Sequence, residues 1–237
     1  MSTYVLIHGA WHGGWCWDRV VPLLEQHGHS VIAPDLPGHG DDKTPLHQVT
    51  LQAYADTVCE VVNAQSEPVI LLGHSLGGMV ITRAAEHCSS KIKKLVYLTA
   101  ILLGNGVSGP EDPEALIKPN MILSADQSFF TVKEDMIKPA FYADCSDADI
   151  AWATSKLTPQ PASPIGQSTE TVTTEENYGR LPRVYIECLA DRAITPMAQK
   201  TMYTNMPCEQ VISMHTDHSP FLSDPEGLAE HLHGLST

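Results

Sequence analysis

The segment around position 75 constrains the fold of this chain more than any other. An apolar run, Val69–Leu72, leads into Gly73-His74-Ser75-Leu76-Gly77, and an apolar helical face follows. A strand that turns sharply into a helix places the serine at the apex, where its hydroxyl leaves the sheet. Flanking glycines let the backbone and the helix approach without a Cβ clash. The segment predicts a nucleophilic serine, and a glycine-rich turn without chemistry is the alternative.

Short apolar segments alternate with helical patterns along most of the chain. The predicted strands are Tyr4–His8, Ser30–Pro34, Val69–Leu72, Lys94–Thr99, Arg183–Cys188 and Gln210–Met214. The predicted helices are Asp18–Gln26 and those that begin after Thr50, after Ser75, at Thr195-Pro196 and at Asp224-Pro225. This alternation predicts an α/β fold with a mostly parallel sheet and helices on both faces. Such sheets bind ligands at the carboxyl ends of their strands.

Residues 103–180 break this alternation. The segment is rich in prolines and acidic clusters, and it contains several aromatic side chains. We predict an inserted, mainly helical cap over the strand ends, with residues 1–102 and 181–237 forming the core. A long disordered linker is the alternative, but the aromatics and the helical pattern at 148–153 argue against it.

The composition excludes several classes of partner. The formal net charge of −14 opposes binding to nucleic acid or to anionic lipid. No apolar run approaches the length of a membrane span, and the N-terminus has no signal-peptide pattern. The six cysteines include no Cys-x-x-Cys pair. They are typical of free thiols in a reducing compartment, so we expect a cytoplasmic protein.

A serine nucleophile needs a base that takes its proton and a third group that orients the base. His218 follows the strand Gln210–Met214, and Asp191 follows the strand Arg183–Cys188. The chain order Ser75, Asp191, His218 is the one expected for this architecture. His215 is the rival base but lies closer to its strand. Glu187 is the rival carboxylate but lies within a strand.

The oxyanion of a tetrahedral intermediate also needs hydrogen-bond donors. The backbone N–H of Leu76, directly after the serine, is one candidate. The backbone N–H of Ala10, on the glycine-rich loop after the first strand, is the other. His8 and His12 have the i,i+4 spacing that could bind zinc on a helix, but glycines surround them and no His-Glu-x-x-His motif is present. We predict no metal and no cofactor.

Several motifs resemble those of known hydrolases. They are Val5-Leu6-Ile7-His8-Gly9-Ala10-Trp11-His12-Gly13-Gly14-Trp15, the turn at Ser75, Phe141-Tyr142-Ala143-Asp144-Cys145, Asp191, and Asp217-His218. Together they resemble α/β-hydrolase fold proteins. More narrowly, they resemble the plant salicylic-acid-binding-protein and methylesterase group, which includes hydroxynitrile lyases, and bacterial pyrethroid-hydrolase-like esterases. The resemblance implies the triad Ser75, Asp191 and His218 with Ala10 and Leu76 as oxyanion donors, and it implies a homodimer.

The same resemblance implies a serine carboxylic-ester hydrolase that acts through an acyl-enzyme. We expect a small to medium ester as substrate, with aromatic esters included. The residues expected to contact it are Gly9, Trp11, Phe129, Phe141, Trp152 and Ser219. One alternative is a receptor that binds a small aromatic acid and turns over slowly. Another is a hydroxynitrile lyase, but such lyases carry threonine and lysine where this chain has Gly9 and Ser219.

Overall fold

The computed structural model of the protein describes residues 1–236. The strands, in chain order, are β1 (Thr3–Ile7), β2 (Ser30–Ile32), β3 (Val69–His74), β4 (Ile92–Leu98), β5 (Met121–Leu123), β6 (Phe129–Val132), β7 (Gln160–Pro161), β8 (Arg183–Cys188) and β9 (Gln210–Met214). The α-helices are α1 (Val20–Gln26), α2 (Leu51–Asn63), α3 (Gly77–Cys88), α4 (Glu134–Phe141), α5 (Asp147–Lys156), α6 (Ala162–Gly166), α7 (Pro196–Asn205), α8 (Pro220–Ser223) and α9 (Pro225–Gly234).

Six of the strands form one sheet in the order β2-β1-β3-β4-β8-β9. Every neighbouring pair in this sheet is parallel, which confirms the predicted α/β fold. Every residue of β3 is buried, as are four of the five residues of β1. Because helices cover both faces of the sheet, these strands show an apolar run in place of an alternating pattern.

The strand order reverses direction beside β1. The chain passes from β1 to β2 on one side and then returns to β3 on the other side. Right-handed crossovers therefore put α1 and α2 on opposite faces. In agreement, α1 packs against α9, and α2 packs against α3. The cleft beyond the carboxyl ends of β1 and β3 is the point where ligands bind in such sheets.

Side-chain caps fix the starts of the predicted helices. The side chain of Thr50 accepts a hydrogen bond from the N–H of Ala53, which starts α2. Thr195 caps α7 and Asp224 caps α9 in the same way, and each is followed by proline at the first helical position. These three starts agree with the sequence predictions.

Residues 103–180 contain both helices and strands. The strands β5, β6 and β7 form a separate antiparallel sheet, which the sequence analysis did not predict. They contain only 3, 4 and 2 residues, too few to show a periodic pattern. The helix predicted around residues 148–153 is present as α5. The division of the chain at residues 103 and 180 stays a prediction.

None of the helices among residues 1–236 has both the length and the apolar composition needed to cross a membrane. All six cysteines carry free thiols.

Candidate active site

The turn after β3 holds Ser75 in a conformation that few L-residues adopt. Its φ is 53°, in the left-handed region, which costs roughly 1–2 kcal/mol for an L-residue. The turn is also tightly packed. A Cβ on Gly73 would lie 2.5 Å from the carbonyl oxygen of Gly77, and a Cβ on Gly77 would lie 2.8 Å from that of His8. Glycine at these two positions therefore permits the sharp turn that projects Ser75 from the sheet.

His218 and Asp191 form a buried pair at the ends of two adjacent strands. Asp191 follows β8 and His218 follows β9, and these strands are parallel neighbours. The distance from His218 Nδ1 to Asp191 Oδ2 is 2.6 Å, and the two side chains are 2% and 0% exposed. Because an ionised carboxylate can only accept, Nδ1 carries the proton. The other ring nitrogen, Nε2, is then free to take a proton from a nucleophile.

Four donors converge on the carboxylate of Asp191. The hydroxyl of Thr99 and Nδ1 of His218 donate to Oδ2. The N–H groups of Ala193 and Ile194 donate to Oδ1 at 2.7 Å and 3.0 Å. These hydrogen bonds fix the orientation of the carboxylate toward His218. Sequence analysis missed Thr99, whose one signal is its position after β4, the strand between β3 and β8.

His74, directly before the serine, contacts the backbone of His218. Its Nε2 lies 2.8 Å from the carbonyl oxygen of His218, so Nε2–H is the donor. Burial, and then the neighbouring His218, lower the pKa of His74 well below its usual value. His74 therefore stays neutral and helps to fix the loop that carries His218.

The two rival residues lie apart from this pair. His215 is exposed to solvent. Glu187 accepts hydrogen bonds from the hydroxyls of Tyr203 at 3.1 Å and Ser213 at 2.7 Å. These two hydrogen bonds give the Glu187 carboxylate a structural role away from His218.

Ser75 and His218 both lie on the wall of a cavity of about 420 Å³. Most of the wall is aliphatic, and it is formed by side chains from many segments of the chain. These are Met79, Ile101, Leu103, Ala115, Ile117, Met121, Ile165, Ala193, Ile194, Ala198 and Met202. Trp11 and Phe141 add two aromatic rings, while Ser108, Asp112, Lys118 and Ser168 are the polar contributors besides Ser75 and His218.

Two backbone N–H groups on this wall are available to a ligand. Ala10 and Leu76 both line the cavity. Among residues 1–236, no acceptor is bonded to the N–H of either residue. Unsatisfied N–H groups beside a serine are what a developing oxyanion requires.

Four of the six expected substrate contacts lie elsewhere. Phe129 pairs with β7 in the small sheet, and Trp152 packs edge-on against Trp15 at 5.3 Å. Ser219 is buried beside the Asp217 carboxylate, to which its N–H donates at 3.0 Å. Gly9 lies against the turn at Ser75 and not on the cavity wall. Trp11 and Phe141 line the cavity, and the six substrate contacts stay a prediction.

The family comparison covers almost the whole chain. A family model described as the alpha/beta hydrolase family matches residues 4–231. A pyrethroid hydrolase from Sphingobium wenxiniae is 34% identical, over 97% of this chain and 86% of its own length. Methylesterase 9 from Arabidopsis thaliana is 30% identical, over 98% of this chain and 97% of its own length.

Other curated relatives are longer than this chain. The putative chloroplastic methylesterases 13 and 11 of Arabidopsis thaliana are 29% and 31% identical over 96% of this chain. The matched region spans only 54% and 62% of their lengths.

Solved structures agree with the sequence relatives. A pyrethroid hydrolase from Sphingobium faniae superposes with a TM-score of 0.88 at 31% identity, covering 99% of this chain and 96% of its own. A polyneuridine aldehyde esterase superposes with a TM-score of 0.89 at 25% identity, covering 100% of both chains. The likeness therefore extends over the sheet, the site loops and the inserted segment alike.

Proposed function

Because this chain belongs to the alpha/beta hydrolase family, we propose that it is a serine carboxylesterase that hydrolyses carboxylic esters through an acyl-enzyme. The names of the methylesterases and pyrethroid hydrolases that it resembles support this reaction. The observation that carries the proposal is the buried His218–Asp191 pair, whose histidine lines the same cavity as Ser75.

In the proposed reaction, the Ser75 hydroxyl attacks the ester carbonyl while His218 Nε2 takes its proton. Asp191 accepts the hydrogen bond from Nδ1–H and stabilises the imidazolium that forms. The imidazolium then gives its proton to the departing alcohol, which leaves an acyl group on Ser75. A water molecule repeats the sequence and frees the carboxylic acid.

The N–H groups of Ala10 and Leu76 are the proposed donors to the oxyanion. They belong to loops after β1 and β3, the two strands that flank the reversal in strand order. Removing one donor of this kind costs about 2.7–4 kcal/mol of transition-state stabilisation. Their unpaired state and their place on the cavity wall support this role.

The shape and the lining of the cavity support a small to medium ester as substrate. A wall with many aliphatic side chains and few polar groups favours an apolar acyl or alcohol group. The rings of Trp11 and Phe141 can contact an aromatic group, but most of the wall does not require one.

The test is steady-state hydrolysis of a panel of methyl, benzyl and p-nitrophenyl esters. We expect turnover by the wild-type protein and loss of at least about 10³-fold in kcat for Ser75→Ala. Ser108→Ala is the matched control, because Ser108 lines the same cavity on a different segment. Equal turnover by wild type and Ser75→Ala would contradict the proposal. A single burst followed by arrest in the wild type would support the receptor alternative.

The homodimer and the cytoplasmic location also remain proposals. The free thiols of all six cysteines support a reducing compartment. Sedimentation of the purified protein tests the homodimer, and fractionation of the source cells tests the cytoplasmic location.

A further inference from the structure

Two buried histidines on the loop after β1 have no part in the proposed reaction. His8 is 0% exposed and His12 is 1% exposed. Neither belongs to a group of three or more His, Cys, Asp or Glu side chains that could hold a metal, within residues 1–236. Building on the proposed esterase function, we propose that His8 and His12 are positioning residues that orient the two successive peptide groups on either side of Ala10.

His8 acts on the first of these peptides. Its Nδ1 lies 2.8 Å from the carbonyl oxygen of Gly9. This carbonyl belongs to the same planar peptide group as the N–H of Ala10. In a trans peptide the two bonds point in opposite directions, so holding the carbonyl also aims the N–H.

His12 acts on the second peptide. Its Nδ1 lies 2.8 Å from the carbonyl oxygen of Ala10, which shares a peptide group with the N–H of Trp11. With both carbonyls held, the backbone on either side of Ala10 has little freedom to rotate. The direction of the Ala10 N–H then depends on two side chains rather than on the loop alone.

The tautomers of both rings follow from their partners. A carbonyl oxygen can only accept, so Nδ1 carries the proton in His8 and in His12. The Nε2 atoms must then accept. Nε2 of His8 accepts from the N–H of Leu36 at 3.0 Å, and Nε2 of His12 accepts from the hydroxyl of Tyr142 at 2.7 Å.

Burial keeps both imidazoles neutral, which this arrangement requires. It lowers the pKa of His8 to about 4 and that of His12 to about 3. Protonation of either ring would place a second proton against a donor, the N–H of Leu36 or the hydroxyl of Tyr142. The neutral form is therefore the one that satisfies all four ring nitrogens.

The loop needs this support because its backbone is strained. Trp11 has a φ of 62°, in the left-handed region that is unfavourable for a residue with a side chain. Residues from the 103–180 segment form hydrogen bonds with Trp11. Its carbonyl accepts from the N–H of Thr158 at 2.9 Å, and its indole N–H donates to the carbonyl of Phe130 at 3.0 Å.

Tyr142 also lies in the 103–180 segment, so the inferred cap takes part in setting the oxyanion donor. The chain of bonds runs from the Tyr142 hydroxyl to His12, and from His12 to the Ala10 carbonyl. A change in the position of Tyr142 would therefore reach, through the His12 ring, the peptide between Ala10 and Trp11, which adjoins the peptide that carries the Ala10 N–H.

Kinetics of the full-length protein test this inference. Tyr142→Phe removes the hydroxyl and keeps the ring, and we expect a fall of about 5- to 10-fold in kcat with little change in KM. His12→Leu removes both ring bonds, and we expect a fall of about 100-fold in kcat. His12→Asn keeps a donor near the position of Nδ1, so we expect it to recover part of the loss.

A second readout separates positioning from general damage to the fold. A trifluoromethyl ketone forms a tetrahedral adduct with a nucleophilic serine and needs the oxyanion donors, whereas a product alcohol such as benzyl alcohol has no carbonyl oxygen to place there. We expect Tyr142→Phe and His12→Leu to weaken binding of the ketone by the factor lost in kcat and to leave binding of the alcohol unchanged.

Two variants serve as matched controls. His29→Asn changes a buried histidine whose ring nitrogens are bonded to Ser2 and His233, and Tyr178→Phe changes a buried tyrosine bonded to Tyr97. Both should keep the wild-type kcat. If the wild type hydrolyses esters but Tyr142→Phe and His12→Leu keep its kcat and its affinity for the ketone, the inference is wrong. If the wild type hydrolyses no ester, the proposed function fails instead.

Discussion

At the scale of single residues, the proposed triad depends on a carboxylate, that of Asp191, whose two oxygens both accept hydrogen bonds. Asp191 accepts from an imidazole, a hydroxyl and two backbone N–H groups. An amide in its place must turn its NH₂ toward one of these donors. It would also favour the imidazole tautomer that cannot act as a base toward Ser75.

Asp191→Asn should therefore lower kcat by about 10³- to 10⁴-fold and leave the fold intact. Steady-state kinetics and circular dichroism measure the two effects. Glu187→Gln, at the rival carboxylate, should keep nearly full activity. The assignment of Asp191 would be refuted if the two variants lost activity to the same extent.

The absence of a side chain at position 9 is also needed for the site. A Cβ on Gly9 would lie 2.8 Å from both Ser75 Cβ and His74 Nδ1, and 3.2 Å from the carbonyl of His74. These atoms belong to the tight turn and cannot move without displacing the serine. We predict a fall of about 10²-fold in kcat/KM for Gly9→Ala, since small displacements at a reacting centre have effects of this size.

Gly109→Ala is the matched control for Gly9→Ala. Gly109 lines the same cavity, but a Cβ there would meet no atom within 4 Å. The kcat/KM of Gly109→Ala should stay close to that of the wild type. Similar losses in both variants would show that the cavity, and not the turn, responds to the added methyl group.

At the scale of elements, Asp217 joins the loop that carries His218 to the 103–180 segment. Its carboxylate accepts from the N–H of Asp144 at 2.9 Å, from the N–H of Ser219 at 3.0 Å and from the hydroxyl of Ser223 at 2.9 Å. Burial raises the pKa of Asp217, and these donors lower it in part. One side chain thus connects the loop before α8 with the loop between α4 and α5.

Asp217→Asn would leave at least one of these donors without an acceptor, so we expect a loss of about 1–3 kcal/mol in the free energy of unfolding. Urea unfolding measures it. Asp126→Asn is the control, because Asp126 also accepts several hydrogen bonds but is exposed. An unchanged stability in Asp217→Asn would contradict the link.

The sequence predicted the core elements better than the inserted ones. The strands of the main sheet are long enough for an apolar run, and three helices begin at a capping residue. The antiparallel sheet β5-β6-β7 has neither feature, and one of its strands ends in Pro161. Its strands β5 and β6 are close in sequence but very short, whereas β7 pairs with β6 from far along the chain, Gln160 with Phe130, and no local pattern records that pairing.

At the scale of the whole molecule, several buried neutral histidines make the protein sensitive to acid. Burial lowers the pKa of His8 to about 4 and that of His12 to about 3, and it lowers those of His39 and His74 well below their usual value. The ordinary value is 6.5. At a pH below 6.5 but above the lowered pKa values, these imidazoles are protonated in the unfolded chain and neutral in the folded protein.

The free energy of unfolding should therefore fall as the pH falls below 6.5, by up to about 1.4 kcal/mol per pH unit for each such histidine. Urea unfolding at about pH 7.5 and about pH 5.5 measures the change. His39→Gln should reduce the pH dependence, whereas His47→Gln, at an exposed histidine, should not. A stability that is constant or rises on acidification would contradict this prediction.

The positions of the proposed reacting groups could be predicted from the sequence more readily than the cavity around them. Ser75, Asp191 and His218 each follow a predicted strand, so their convergence at one edge follows from a parallel sheet. Thr99 has no motif of its own. The cavity wall draws side chains such as Ile117, Ile165 and Met202 from separate segments, so only their packing in three dimensions brings them together.

The central claim is that Ser75 carries the acyl group during ester hydrolysis. Rapid acid quenching of a reaction with p-nitrophenyl acetate, followed by mass spectrometry of proteolytic peptides, tests it directly. We expect one acetyl group on the peptide that contains Ser75 in the wild type, and no acetylated peptide in Ser75→Ala. An acetyl group on another residue, or hydrolysis by the wild type with Ser75 never acetylated, would contradict it.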